Sequence, residues 1–186
     1  EFAVARAPVE VGVGLLAGAC LVAAVFAALT ALQVFQLEGR HPFDVTGLTL
    51  VSDMVLVAFF EEILVRGIVL TALERPLGAI GALLVSALLF GLAHLPNKGA
   101  TVLSTVNVTT AGVMFGAAFL ATRRLWLSIG LHFGWNVTAG YVFSATVSGQ
   151  DGPAGLFFGE LRGPAWLTGG AFGMEGELID AAGVKA

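Results

Sequence analysis

Charge is scarce in this sequence. Asp, Glu, Lys and Arg make up 12% of its 186 residues, against roughly 25% in soluble domains. That deficit excludes an ordinary water-soluble domain, because so small a core cannot hide the 57% of residues that are hydrophobic. Cysteine is almost absent. Cys20 stands alone in an apolar run, so no disulfide can form within the chain. Long basic runs are missing and the net charge is -4, which leaves nucleic-acid binding without electrostatic support. The chain starts Glu1-Phe2 rather than with Met, as expected of a processed chain or a fragment. A short signal core is lacking too. The charge-free run 11–35 is far longer than the about 7–15 residues of such a core, and it reads as a spanning helix.

What is present is apolar helix. A bilayer core takes about 20 apolar residues in helical form, and five such spans are expected: residues 11–35, 46–73, 77–95, 100–122 and 126–147. Glu38 to Pro42 reads as a polar turn, with Asp44 or Thr46 capping the second helix. Glu74-Arg75-Pro76 ends the second span, Pro96-Asn97-Lys98-Gly99 the third, and Arg123-Arg124 the fourth. The fold class is thus all-α, a polytopic transmembrane bundle. Membrane strands are excluded, since an outer-membrane barrel would alternate in hydropathy. The bundle occupies residues 1–150. The Gly-rich stretch 151–186 reads as an irregular, mostly solvent-exposed tail. Gly12-x-Gly14, Gly78-x-x-Gly81 and Gly112-x-x-x-Gly116 suit close helix packing in lipid. Arg6, Arg75, Arg123 and Arg124 fall on one side, which the positive-inside rule makes cytoplasmic together with the N-terminus. Ala/Gly-rich helical spans suit a bacterial inner membrane.

Lipid should not tolerate several residues in these spans. A charge at mid-bilayer costs at least about 2.5–3.5 kcal/mol on insertion scales, yet the second span carries Glu61, Glu62 and Arg66. Glu62 and Arg66 are four apart and can pair, either to brace helices or to brace a site. Glu61 is rotated by about 100° from Glu62, so one guanidinium need not consume it. A partly desolvated Glu can serve as a base. The third span ends Phe90-Gly91-Leu92-Ala93-His94, with Phe90 and His94 on one face. The fifth carries His132-Phe133-Gly134-Trp135-Asn136, with His132 and Asn136 on one face and Trp135 and Phe133 pointing away to pack. Two membrane histidines on separate helices, beside a Glu pair on a third, point to a common polar site. His41 lies in a polar loop and reads as solvated, and Asp53 reads as interfacial. No Gly-x-Ser-x-Gly marks a serine nucleophile and no His-Glu-x-x-His a zinc helix. Asp53 has no partner Asp in another span for an aspartyl dyad.

Taken together, Glu61-Glu62-Ile63-Leu64-Val65-Arg66, Phe90-Gly91-Leu92-Ala93-His94 and His132-Phe133-Gly134-Trp135-Asn136 resemble the CAAX protease and bacteriocin-processing (CPBP, or Abi) intramembrane proteases. That family's pattern is Glu-Glu-x-x-x-Arg, Phe-x-x-x-His and His-x-x-x-Asn or Asp, each in its own membrane helix. The resemblance covers residues 46–147 and does not reach the tail. Members usually carry more helices before the first motif, so the likeness implies a chain shortened at its N-terminus. It also implies peptide-bond hydrolysis within the membrane, on a peptide or prenylated-protein substrate. Glu61 and His94 would activate a water, and His132 and Asn136 would donate to the oxyanion. Glu62, Arg66 and Phe90 would brace the site. Members are commonly called metalloproteases, and Glu61, His94 and His132 could supply a two-His, one-carboxylate set for a divalent metal such as zinc.

One geometric demand follows. The third and fifth helices should run parallel, and counting along them separates His94 from His132 in depth by roughly 15 Å. A shared site therefore requires the turn 95–99 to sink into the membrane and line a watery cavity. The reading from a different class is a non-catalytic transporter or an immunity-type protein, with the buried ionisable groups as an ion path or partner site.

Overall fold

The computed structural model describes residues 4–42, 45–150 and 155–176. Asp44, the Thr46 side chain, Glu177, Asp180 and Lys185 lie outside them, so the cap expected from Asp44 or Thr46 does too.

A short 3-10 turn leads into α1 (Ala7–Ala31), which has Pro8 in its first turn, where a missing N–H costs nothing. Strand β1 (Phe35–Arg40) follows. Helix α2 (Val45–Glu62) continues through a π-helical segment (Ile63–Leu70) into α3 (Thr71–Ala93). Helix α4 (Val102–Thr122) starts with a reciprocal cap between Thr101 and Ser104. Helix α5 (Trp126–Asn136) runs on as a second π-helical segment (Val137–Val142). Strand β2 (Phe157–Leu161), the single turn α6 (Ala165–Thr168) and two 3-10 turns (Gly170–Phe172 and Met174–Gly176) close the order.

Three helical stretches among the described residues are long and apolar enough to cross a membrane: Val4–Ala31, Gly47–Ala93 and Val102–Thr122. The second has 47 residues, more than twice what a bilayer needs. It breaks at Gly78, whose φ of 69° suits glycine, two residues after Pro76. There the chain doubles back. Phe59, Ile63 and Leu70 before the break share one apolar cluster with Ala82 and Leu83 after it. The expected second and third spans are therefore one interrupted helix, turning slightly later than the Pro signal predicts. Large apolar side chains stay exposed along every long helix, among them Leu16, Phe60, Ile80 and Val102. Only lipid makes such a surface stable. The fold is an all-α membrane bundle.

The fifth span needs correction. Its regular helix has 11 residues and its π-helical extension 6, ending at Val142 rather than Val147. It is short because it faces little lipid. Ser128 to His132, Gly134 and Asn136 are all buried, between α1, α2 and α4. The first span also ends early, at Ala31, because Phe35–Arg40 pairs antiparallel with Phe157–Leu161. This two-stranded ribbon lies outside the helices, and residues 155–176 are not a solvent-exposed tail. Phe172 and Met174 are 1% and 5% exposed and join the bundle's apolar clusters. His41 is not simply solvated either, since its Nδ1 lies 3.0 Å from the Gly155 carbonyl oxygen.

Helix α1 does more than span. Its buried stripe Glu10, Gly14, Gly18, Val22, Phe26 and Leu29 recurs at helical spacing and lies on α5. Gly14 and Gly18 interlock there with Gly130 and Gly134. A Cβ on Gly14 would stand 2.6 Å from the Leu131 nitrogen, and one on Gly134 2.8 Å from the Leu15 Cα. Small residues four apart let two backbones touch, which is the main source of helix affinity in lipid. Gly18→Ala is accordingly expected to lower stability by about 1–3 kcal/mol, read as a lower unfolding midpoint in detergent. Gly12→Ala, with nothing within 4 Å of the added carbon, is the neutral control. At the end of the bundle near Glu10, Arg124 Nε donates to Glu10 at 2.8 Å and Arg123 pairs with Glu74. The Glu10 hydrogen bond raises the Arg124 pKa further above its ordinary value.

Candidate active site

The site forms where the two π-helical segments begin. Widening a helix by one residue per turn re-aims the side chains beside it, and such segments often accompany functional sites. Glu62 closes α2 just before the first segment, and Arg66 sits inside it. Both side chains are fully buried, and Arg66 Nη1 donates to Glu62 Oε1 at 2.8 Å. The other guanidinium nitrogen, Nη2, donates to the Gly112 carbonyl at 2.9 Å. The guanidinium carbon lies 4.6 Å from the centroid of Phe90 and 5.4 Å from that of Phe115. Two hydrogen bonds and two ring faces replace part of the water that the cation loses, while Nε is buried without a partner among the described residues.

Glu62 has a second partner that spacing did not reveal. His132 Nδ1 lies 3.0 Å from the same Oε1. A carboxylate can only accept, so Nδ1 carries the proton and donates it. In the neutral tautomer that this bond selects, the lone pair lies at Nε2, on the Glu61 side. His94 is set the same way. Its Nδ1 is 2.8 Å from the Phe90 carbonyl oxygen, which also only accepts, so in the neutral tautomer Nε2 carries the lone pair there too. Phe90 separates and orients the two histidines, with ring centroids 4.8 Å from His94 and 6.1 Å from His132. Phe115 stacks on His132 at 4.7 Å. An isolated Phe in an apolar helix gives no sequence signal for that role.

Glu61 stands apart from this network, as the 100° offset requires. Its side chain is 34% exposed and lines a cavity of about 490 Å³ with His94, His132 and Asn136. Glu61 Oε2 has no hydrogen-bond partner among the described residues. It faces His132 Nε2 at 3.9 Å, too far for a direct hydrogen bond. Asp53 lines the same cavity. A second, more apolar cavity of about 340 Å³ lies on the other side of His94, His132 and Asn136, against α1 and α4.

The structure thus gathers Glu61, His94, His132 and Asn136 around shared space, with Glu62, Arg66 and Phe90 behind them. The turn 95–99 is tied to the returning chain at two points, while Leu95, Pro96, Lys98 and Gly99 stay exposed. Asn97 Nδ2 donates to the Ser148 carbonyl at 2.8 Å, and Gly99 abuts Ala171 and Phe172. The metal set expected from Glu61, His94 and His132 does not fit this arrangement. Among the described residues no three His, Cys, Asp or Glu side chains lie close enough to share an ion. The reason is local. His94 caps the end of α3, tied to the Phe90 carbonyl. It therefore shares the cavity with the Glu61–His132 pair without closing on it. In that tautomer the Nδ1–H of His132 is committed to Glu62.

Trp135 needs correction as well. Rather than packing away from the site, it lines the apolar cavity and donates from Nε1 to Glu175 Oε1 at 2.9 Å. Glu175 and Ser148 also line that cavity. Both lie in Gly-rich stretches whose sequence carries no motif, and only the returning chain brings them to the site.

Residues 42–138, just over half of the chain, match the family model described as Type II CAAX prenyl endopeptidase Rce1-like. No curated protein and no solved structure matches the chain. The matched stretch contains all three motifs and ends two residues after Asn136. A bundle with apolar helices, a buried Glu62–Arg66–His132 network and a Glu61-lined cavity is what such motifs need around them. The chain belongs to the Type II CAAX prenyl endopeptidase Rce1-like family of membrane-embedded proteases.

Proposed function

We propose that the chain hydrolyses a peptide bond inside the membrane, with a water held between Glu61 and His132 as nucleophile. The observation that carries this is the facing pair Glu61 Oε2 and His132 Nε2 at 3.9 Å. Both atoms accept hydrogen bonds, and a water between them has one O–H for each. Its oxygen lone pair is then left for a scissile carbonyl. Attack forms the C–O bond and passes a water proton to Glu61, and cleavage of the C–N bond returns that proton to the leaving amine. The second O–H is held by His132 Nε2, and His94 lines the same cavity beside it. Glu62 is the positioning residue. It fixes the His132 tautomer, as the carboxylate behind a catalytic histidine does elsewhere, and Arg66 balances its charge.

Asn136 is the oxyanion donor in this scheme. Of the motif side chains Glu61, His94, His132 and Asn136 on the shared cavity, Asn136 alone carries an amide N–H. His132 joins it only once it has gained a proton at Nε2. The apolar cavity favours a substrate with an apolar or prenylated segment, reached from an inner-membrane bilayer.

The direct test is hydrolysis of a prenylated or hydrophobic peptide by the purified protein in detergent, with Glu61→Ala as control. Cleavage that persists undiminished in Glu61→Ala would sink the assignment. Asn136→Ala is expected to lower kcat by about 10²–10³ with KM little changed, because the bond strengthens mainly in the transition state. An unchanged kcat removes the oxyanion role.

A further inference from the structure

Residues 170–176 return across the bundle outside the stretch that matches the family. Phe172 inserts beside Phe90, Val108 and Phe115, and Met174 beside Val22, Phe26 and Leu29. The Gly149 amide donates to the Phe172 carbonyl at 2.8 Å, and Asn107 Nδ2 to the Glu175 carbonyl at 3.0 Å. The Glu175 carboxylate is used at both ends. Oε1 accepts from Trp135 Nε1 at 2.9 Å, and Oε2 accepts from the Ser148 amide at 2.8 Å and the Ser148 hydroxyl at 2.6 Å. Trp135, Ser148, Met174 and Glu175 together form one wall of the apolar cavity, whose inner end is His94, His132 and Asn136.

We propose that this strap sets the length of the apolar group the enzyme accepts, with Met174 as the specificity-determining wall and Glu175 as the clamp that holds it. The proposal rests on the proteolytic reading of the same site. A cavity of about 340 Å³ lies at the small end of ligand pockets, which run about 300–1,000 Å³, so one removable wall decides what fits. The clamp needs a carboxylate. Both of its oxygens face N–H donors, so no orientation of an amide satisfies Trp135 and Ser148 together. Glu175→Gln therefore keeps the volume and breaks the clamp, while Met174→Ala keeps the clamp and lowers the wall.

The experiment compares peptides bearing thioether-linked isoprenoid chains, from a single isoprene unit to geranylgeranyl. Hydrolysis is measured for the wild type, Met174→Ala and Glu175→Gln, and equilibrium binding of the same peptides in a Glu61→Gln background. Both variants are expected to shift preference towards the longer chains by at least about tenfold, the scale of steric discrimination in an apolar pocket. The shift should sit in KM and in equilibrium binding of the longer chains rather than in kcat. A loss of kcat for every chain with no shift in preference would mean a general structural role and overturns the proposal. The clamp is read separately by maleimide labelling of Met174→Cys in a Cys20→Ser background. Labelling should rise when Glu175→Gln is added, and equal labelling overturns the clamp. If the wild type cleaves no peptide, the proteolytic reading fails on its own, and the binding series still decides the strap.

Discussion

Glu61→Gln is expected to cut peptide hydrolysis by about 10²–10⁴-fold, the usual share of a general base, while leaving the unfolding midpoint in detergent unchanged. The two halves of that expectation have separate causes. Activity falls because Glu61 lines the shared cavity and its carboxylate lies beside His132 Nε2. Stability holds because Glu61 is bonded neither to Arg66 nor through Oε2 to any described residue, so removing its charge leaves no partner unpaired. Glu62→Gln is the contrast. It keeps the shape but weakens two charge-assisted hydrogen bonds, to Arg66 and to His132, and should lower both stability and turnover. Turnover of Glu61→Gln within a few fold of wild type would move the base to another group, with His132 Nε2 next in line.

Arg66→Ala should be the most damaging single change to the fold, at about 3–5 kcal/mol. That is a large part of the about 5–15 kcal/mol by which proteins are stable. The substitution strips the fully buried Glu62 carboxylate of its counter-ion and the Gly112 carbonyl of its donor. It also opens a void between the Phe90 and Phe115 rings. Arg66→Lys should rescue little, because one ammonium cannot reach both acceptors and lie flat between two rings. The double variant Glu62→Leu/Arg66→Met is more informative. Exchanging a buried pair for apolar side chains of similar size is often neutral or stabilising, so the unfolding midpoint should recover. Activity should not, since His132 Nδ1 then has no acceptor and either tautomer becomes available. Recovery of both stability and turnover would show that the network only holds helices together.

What the sequence alone determined was set by solvent and by spacing. Long charge-free runs leave the chain no stable place but lipid, so the all-α bundle could be read without coordinates. Residues four apart share a helical face whatever lies opposite. Glu62 with Arg66, Phe90 with His94 and His132 with Asn136 were therefore legible, as was the turning of Glu61 away from the ion pair. Tertiary structure decided everything that depends on what lies across a gap. Whether Glu62 serves one partner or two depends on how close α5 comes to α2, which no spacing within either helix records. The tautomers of both histidines follow from which acceptor each Nδ1 meets, a carboxylate 70 positions away in one case and a carbonyl one turn back in the other. Glu175 and Met174 enter the site only because residues 155–176 fold back over the helices. Local hydropathy and helical period carry no record of such a return, since its hydrogen bonds and apolar contacts join residues distant in sequence.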